Sequence, residues 1–410
     1  MKLTIKKNRF ESLLLLILIP ILSIPSIILQ IIRKDKWGGY SLGIIVGLIG
    51  FLYVPSLPND KARYYERYEI YDSLSFDGFV DFIIQLKKPD FIFDFGIYLF
   101  SRFNIPFEFF FFFLSCICII LPLKIINELI QIGKVKMNYS YLSIVSILVI
   151  SFSLPGLYSG ARFTLGLTVF VYGLIKFLIF QKRKSGLLII LLSTQIHFSL
   201  LFLCPSLLLF NNKILEKLPF RALFIISFIF FLIPSSVITQ LFGFLSFSES
   251  LSNKTTLYTE GTDFVSQNFD SNEGSYAMFI IRGLWYYFMI ITLLIFGKKL
   301  IFNDVSAVFV KLLYFLIFLS NLTYGFPTIF TRYILVVKLV LTIFLIYLYV
   351  YQKSSLVKTI FYLTFILFLC SFFIDIYVLR YNFLVSLFSD VKLSIINILS
   401  TRIHSNDFIK

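Results

Sequence analysis

One arginine and one histidine stand where neither is at ease. Between Tyr158 and Pro205 the chain reads YSGARFTLGLTVFVYGLIKFLIFQKRKSGLLIILLSTQIHFSLLFLCP, with Arg162 at the mouth of an apolar helix and His197 inside another apolar run. A charge set in hydrocarbon costs about 2.5–3.5 kcal/mol on insertion scales, so an ionisable group there has a partner or a task. A guanidinium is a planar fork of donors suited to phosphate. A neutral imidazole takes up a proton near pH 7. Taken singly, Arg162 also reads as a side chain snorkelling to the interface and His197 as a packing residue. In this order they read as two ends of one site.

Further polar residues join them. Arg282 interrupts the apolar IIRGLWYYF, Arg332 lies in TRYILVV, and Tyr324 shortly precedes it. An earlier stretch, VPSLPNDKARYYERYEIYDS, has Pro55 and Pro58 to stop the preceding span and Asp60 to cap a new helix. On that helix Asp60, Tyr64, Tyr68 and Tyr71 share one face, with Arg63 and Arg67 in an adjacent stripe. Tyrosines beside a carboxylate and a guanidinium suit polyhydroxylated ligands. An interfacial helix with an aromatic belt is the alternative reading.

The elements that must position these residues are membrane helices. The chain is 58% hydrophobic with mean hydropathy +0.89 and carries many apolar runs near twenty residues, the signature of an all-α polytopic membrane protein. The length rule places spans at about 11–32, 38–55, 107–125, 139–154, 161–180, 186–210, 220–245, 277–297, 305–325, 333–351 and 356–378. An amphipathic segment follows at 383–400, for about 11–12 transmembrane helices in one integral membrane domain over residues 1–410. Two polar loops interrupt it, an amphipathic one at 56–90 and an acidic one at 246–276.

The net charge of +15 does not indicate nucleic acid. Its basic residues sit in short loops, where they set topology and meet lipid head groups. The positive-inside rule puts the basic loops 181–184, 211–221, 297–299 and 352–358 in the cytoplasm and the two polar loops outside. The run 186–210 lies between two basic loops, so it should return to the side it left, as two half-helices meeting near Gln195–His197. A cytoplasmic start, argued by Lys2, Lys6, Lys7 and Arg9, conflicts with the count unless Pro20 and Pro25 break the first span into a re-entrant element.

Several chemistries have no support. The sequence holds no GxxxxGK[ST] loop, GxSxG elbow or HExxH helix. With two histidines and no soft ligands beside Cys116 and Cys118, no metal is expected, nor any cofactor. Cys116, Cys118, Cys204 and Cys370 read as packing residues.

The ordered set resembles a known family. Asp60-x3-Tyr64-x3-Tyr68 follows an early span, Arg162 opens a span rich in small residues, QIHFSLL carries His197, and TRYILVV carries Arg332. This order, over roughly residues 38–350, is similar to the EpsG-like family of Wzy-type polysaccharide polymerases. The family's HHS-like histidine motif stands here as His197-Phe198-Ser199, with no second histidine. The resemblance implies an architecture like that of the multi-spanning lipid-donor (GT-C-like) glycosyltransferases, in the cytoplasmic membrane. It implies an enzyme that joins undecaprenyl-diphosphate-linked oligosaccharide repeat units into O-antigen or exopolysaccharide at the outer face. A chain-length regulator protein is an admissible partner.

On that reading Arg162, Arg282 and Arg332 hold the diphosphate and stabilise it as a leaving group. His197 or Asp60 is the base, His197 preferred, because Asp60 in a loop lacks the burial that raises proton affinity. Arg63, Tyr64, Tyr68 and Tyr324 shape the sugar site. A flippase would need similar cations but usually shows internal repeats, which are not found here. An O-antigen ligase shares these features, and a membrane O-acyltransferase is the remaining enzyme alternative.

Overall fold

Proline decides the first turn of the fold. In the computed structural model, which describes residues 2–57, 59–86, 90–132, 140–207, 219–233, 273–352, 354–382, 394–400 and 402–409, α1 (Lys2–Leu18) ends before Ile19, whose backbone is non-helical, and α2 (Pro20–Ile32) starts on Pro20. Proline suits a first helical turn because its missing N–H would find no partner there. Arg9 on α1 then donates to both oxygens of Asp35, beyond the end of α2, at 2.6 and 2.8 Å. An unbroken helix would hold those residues roughly 39 Å apart, so α1 and α2 fold back as a hairpin. Of the two breaks expected, the one at Pro20 is present and Pro25 lies inside α2; the hairpin brings Arg9 back beside the start of α3.

Asp35 also caps α3 (Lys36–Leu52), accepting from Trp37 N–H. Gly43, Gly47 and Gly50 of α3 lie against Ile120, Cys116 and Ser115 of α7 (Phe107–Ile132), so the two helices run antiparallel in close contact. Cys116 and Cys118 are buried in the apolar packing of α7. At the far end of α3 the expected loop folds into helices: α4 (Asp60–Asp72), α5 (Phe76–Gln85) and, after Asp90, α6 (Ile92–Arg102). Buried Lys61 ties α4 back to α3 by donating to Gly50 O at 3.1 Å and Tyr53 O at 2.6 Å, carbonyls of the last turn of α3. Burial lowers the Lys61 ammonium to about 7, with Glu108 pulling the other way. Residues from the end of the chain brace this corner: Asn382 exchanges hydrogen bonds with Val54, and Ile409 with Pro55 and Leu57.

From α7 the chain returns through α8 (Tyr141–Ser151) to the short α9 (Leu154–Tyr158), where Tyr158 stacks on Tyr53 at 5.8 Å. Helices α10 (Ala161–Leu178) and α11 (Arg183–Ile196) then form a tight antiparallel pair. A Cβ on Gly186 would lie 2.7 Å from Phe177 N and one on Gly173 2.8 Å from an Ile190 methylene, so only glycine allows this approach. At His197 the backbone turns extended (φ −147°, ψ 109°) and a 3-10 turn follows over Phe198–Leu203. The break expected at Gln195–His197 is thus present, while the basic stretch 208–218 lies outside the described residues.

The second half packs α12 (Phe220–Ile226), α13 (Glu273–Phe296), α14 (Asp304–Asn321), α15 (Pro327–Tyr351) and α16 (Ser355–Leu379) around α15, most of whose side chains are buried. Within it Asn321 accepts from Tyr286 and donates to Ser227, each at 2.8 Å. Such hydrogen bonds join helices where lipid offers no alternative partner.

Eleven spans are expected; among the described residues, five helices are long and apolar enough to cross a membrane: Phe107–Gln131, Ala161–Leu178, Asp304–Asn321, Pro327–Tyr351 and Ser355–Leu379. Six further apolar helical stretches span 10–17 described residues, one of them Ile280–Phe296 within the longer α13. Local breaks shorten three expected spans: Pro20 splits 11–32, α8 stops at Ser151 before the extended Phe152, and His197 splits 186–210, while 220–245 runs beyond the described residues after residue 233. No β-strand occurs among the described residues; Ser56 and Ile409 form an isolated parallel bridge. The acidic loop 246–276 falls outside them up to residue 272.

Candidate functional site

The polar residues of separate helices meet at the end of the bundle that holds α4, and a carboxylate that sequence reading passed over joins them. Asp90, in the link between α5 and α6, is 1% exposed. Its Oδ2 accepts from Phe198 N–H at 3.0 Å, the first amide after His197, and lies 3.5 Å from Arg162 Nη2. Arg162 stands in the first turn of α10, whose start Gly160 leaves without a side-chain cap. One oxygen therefore touches both the helix break and the arginine.

The ring of Phe163, next in sequence to Arg162, gathers two more groups. His197 meets it edge-on with centroids 5.1 Å apart, and the Arg332 guanidinium lies 6.0 Å from its centre. His197 is buried, and its Nδ1 is 2.8 Å from Ser199 Oγ. If Nδ1 donates to Ser199, Nε2 carries the lone pair, the tautomer that a base requires. Tyr333, beside Arg332, donates to Ser199 O at 3.1 Å and stacks on Phe202 at 5.3 Å, which fixes the 3-10 turn against α15. Arg162, His197 and Arg332 thus converge although they come from three elements.

Helix α4 closes another side. Arg162 interacts electrostatically with Tyr64, Asp90, Asp94 and Asp60. Tyr64 is buried against Phe93 at 4.8 Å, and burial raises its phenol well above the ordinary range, so it stays neutral. Asp94, fully buried, accepts from Arg67 and from Tyr71, both at 2.9 Å. Asp60 lies in the first turn, where a carboxylate suits the helix dipole, and pairs with exposed Arg63. The cap position itself is Asn59. Tyr68 is turned aside: its hydroxyl donates to Ile105 O at 2.9 Å. It stands only about 40° from Tyr64 round the helix, so it is the neighbouring Ile105 carbonyl, not helix angle, that draws its hydroxyl away.

Arg282 and Tyr324 have separate surroundings. Arg282 Nη2 is 2.8 Å from Asp375 Oδ1, yet the pair is misaligned for a hydrogen bond and both Nε and Nη2 lack an acceptor. Asp375 Oδ2 accepts from Leu154 N–H at 3.0 Å, which ties this group to the turn leading into Arg162. Lys338, buried in α15, interacts with both Asp375 and Arg282 and lies 4.6 Å from the centre of the Phe368 ring. Tyr324 packs between Phe231 at 4.2 Å and Phe330 at 5.2 Å.

Asp90, Asp94, Asp375 and Lys338 are what the sequence reading missed. Asp375 and Lys338 carried the same signal that marked Arg282, a lone charge in an apolar run. Asp90 and Asp94 carried none, since they stand in a segment already polar.

The family model described as EpsG family matches residues 40–386, which takes in every residue of this constellation. No curated protein matches the chain, and no solved structure does.

Proposed function

The chain belongs to the EpsG family, that of Wzy-type polysaccharide polymerase-like proteins, and from that premise we propose that it polymerises lipid-linked oligosaccharide repeat units at the outer face of the cytoplasmic membrane. The observation that carries this reading is that His197 and Arg332 meet at the Phe163 ring, while Asp90 links Arg162, beside Tyr64 and Asp60, to the turn that follows His197. Cationic forks and a base at one end of an apolar bundle fit a substrate that is diphosphate, sugar and polyprenyl chain together. The side follows from charge: Arg33, Lys34 and Lys36, Lys182 to Lys184, and Lys298 and Lys299 occupy turns at the opposite end, and basic turns stay in the cytoplasm.

In the proposed reaction the arginines grip the donor's undecaprenyl diphosphate. His197 Nε2 takes the proton of the acceptor sugar's hydroxyl as that oxygen bonds to the donor's anomeric carbon. The bond from that carbon to the diphosphate oxygen breaks, and undecaprenyl diphosphate leaves with the electron pair. Arg162 and Arg332 stabilise the charge that develops on it, and His197 later returns its proton to solvent. Arg282, with two unmet donors, is the third grip.

The test is surface polysaccharide in a strain whose only polymerase is this chain. Alanine at Arg162 or Arg332 is expected to leave single repeats capped on the surface in place of long chains. Loss of every glycan form, single repeats included, points to a flippase or ligase and sinks the polymerase reading.

A further inference from the structure

We propose that Asp90 is a positioning residue that couples the diphosphate grip to the base, holding Arg162 by charge while fixing the backbone on which His197 turns. The inference rests on the polymerase reading for its chemistry and on geometry for its substance. Asp90 is almost completely buried, although it lies in a link between helices. Its Oδ2 serves two elements, accepting from Phe198 N–H at 3.0 Å and facing Arg162 Nη2 at 3.5 Å. Its Oδ1 is buried with no hydrogen-bond partner.

A carboxylate used only to clamp an arginine takes the fork on both oxygens, in two parallel bonds. Asp90 does not. It holds Arg162 loosely through one oxygen and leaves the other empty, so the guanidinium is anchored without being consumed. Its remaining donors stay available to a phosphate. The bond to Phe198 N–H has a second consequence. Helix α11 ends at His197, and the next amide would otherwise lack an acceptor inside the bundle. Asp90 supplies it, so a shift of Arg162 is felt at the turn that carries the imidazole. Groups facing Arg162 from elsewhere, namely Tyr64, Asp94 and Asp60, share its field, and Asp90 Oδ2 also accepts from the turn after His197.

The experiment is a double-mutant cycle on the full chain in its membrane. Asp90→Asn keeps an acceptor for Phe198 and removes the charge beside Arg162. In the natural background it is expected to slow chain formation about tenfold, and in an Arg162→Gln background by less than about twofold, the non-additivity of residues acting through one another. Equal factors in both backgrounds, or no effect in the natural one, overturn the proposal. If Asp90→Asn does not fold, Asp90→Glu, which keeps the charge but displaces it, is read in the same cycle with the same two outcomes. The cycle is repeated on binding of undecaprenyl diphosphate by the purified full chain. A chain that binds this lipid but makes no polymer defeats the polymerase reading alone, and the coupling is then scored from binding.

Discussion

Gly166 lies directly beneath His197: a Cβ added to the glycine would stand 3.1 Å from the Cβ of the histidine and 2.9 Å from a methyl of Leu200. The place of the imidazole is therefore set by a missing side chain on the neighbouring helix. Gly166→Ala should gain helix propensity, about 1 kcal/mol, while pushing the His197 turn aside. We expect a melting temperature close to that of the natural protein and a clear shortening of the polysaccharide on a gel. Gly186→Ala is the contrast. Its Cβ would meet the backbone at Phe177 N, 2.7 Å away, which cannot swing clear. That substitution should cost about 1–3 kcal/mol of stability, read as an earlier melt in detergent.

Replacing His197 by Gln keeps size and polarity but removes the base. The turnover rate should fall by about 10²- to 10⁴-fold, the usual worth of a general base. Ser199→Ala, which frees Nδ1 from its partner at 2.8 Å, should lower turnover less. Measuring both at saturating lipid substrate separates turnover from binding, and a His197→Gln protein with undiminished turnover removes the imidazole from the mechanism.

Asp375 is one carboxylate between two cations, Arg282 and Lys338. Asp375→Asn leaves buried Lys338 and half-buried Arg282 without compensation and should destabilise the protein by about 1–3 kcal/mol, less than a fully buried pair would. Adding Lys338→Met to that variant should restore part of the loss. A melt of the double variant no better than that of Asp375→Asn would show that the charges are not coupled.

Lys61 gives a pH dependence with a definite sign. Burial brings its folded value down to about 7, against an unfolded value of about 10.4. Between these the unfolded chain holds the extra proton, so stability rises as pH rises from about 7 toward 10. Below about 7 the contribution no longer changes. Lys61→Met should flatten this rise in melting temperature without reversing it, and unchanged slopes in the two proteins would refute the assignment.

Arg63 serves as a control for the arginines of the site. Its pairing with Asp60 is exposed, and such pairs contribute about 0–1 kcal/mol. Arg63→Ala should leave melting temperature unchanged and shift chain length far less than Arg162→Ala does. Equal losses of polymer in the two variants would place the diphosphate grip on α4 rather than on α10.

The sequence by itself determined the helical membrane class and the break at His197, and it marked Pro20 as a place where the first span could break, because hydropathy, proline geometry and the cost of lone charges act within a few residues of chain. It also marked Arg162, Arg282 and Arg332 by that cost. The hairpin at Pro20 is a tertiary contact between Arg9 and Asp35. Tyr68 shows where the local rule ran out: a shared helical face is a matter of angle, and the bond to Ile105 is a matter of which helix lies alongside. Asp90 could not be read at all. A carboxylate in a polar link has no local anomaly, and only when α10 and the turn after α11 close over it does one oxygen come to serve both. What the tertiary structure decided is which polar groups come together, since partners for buried charges and amides come from chain that is distant in sequence.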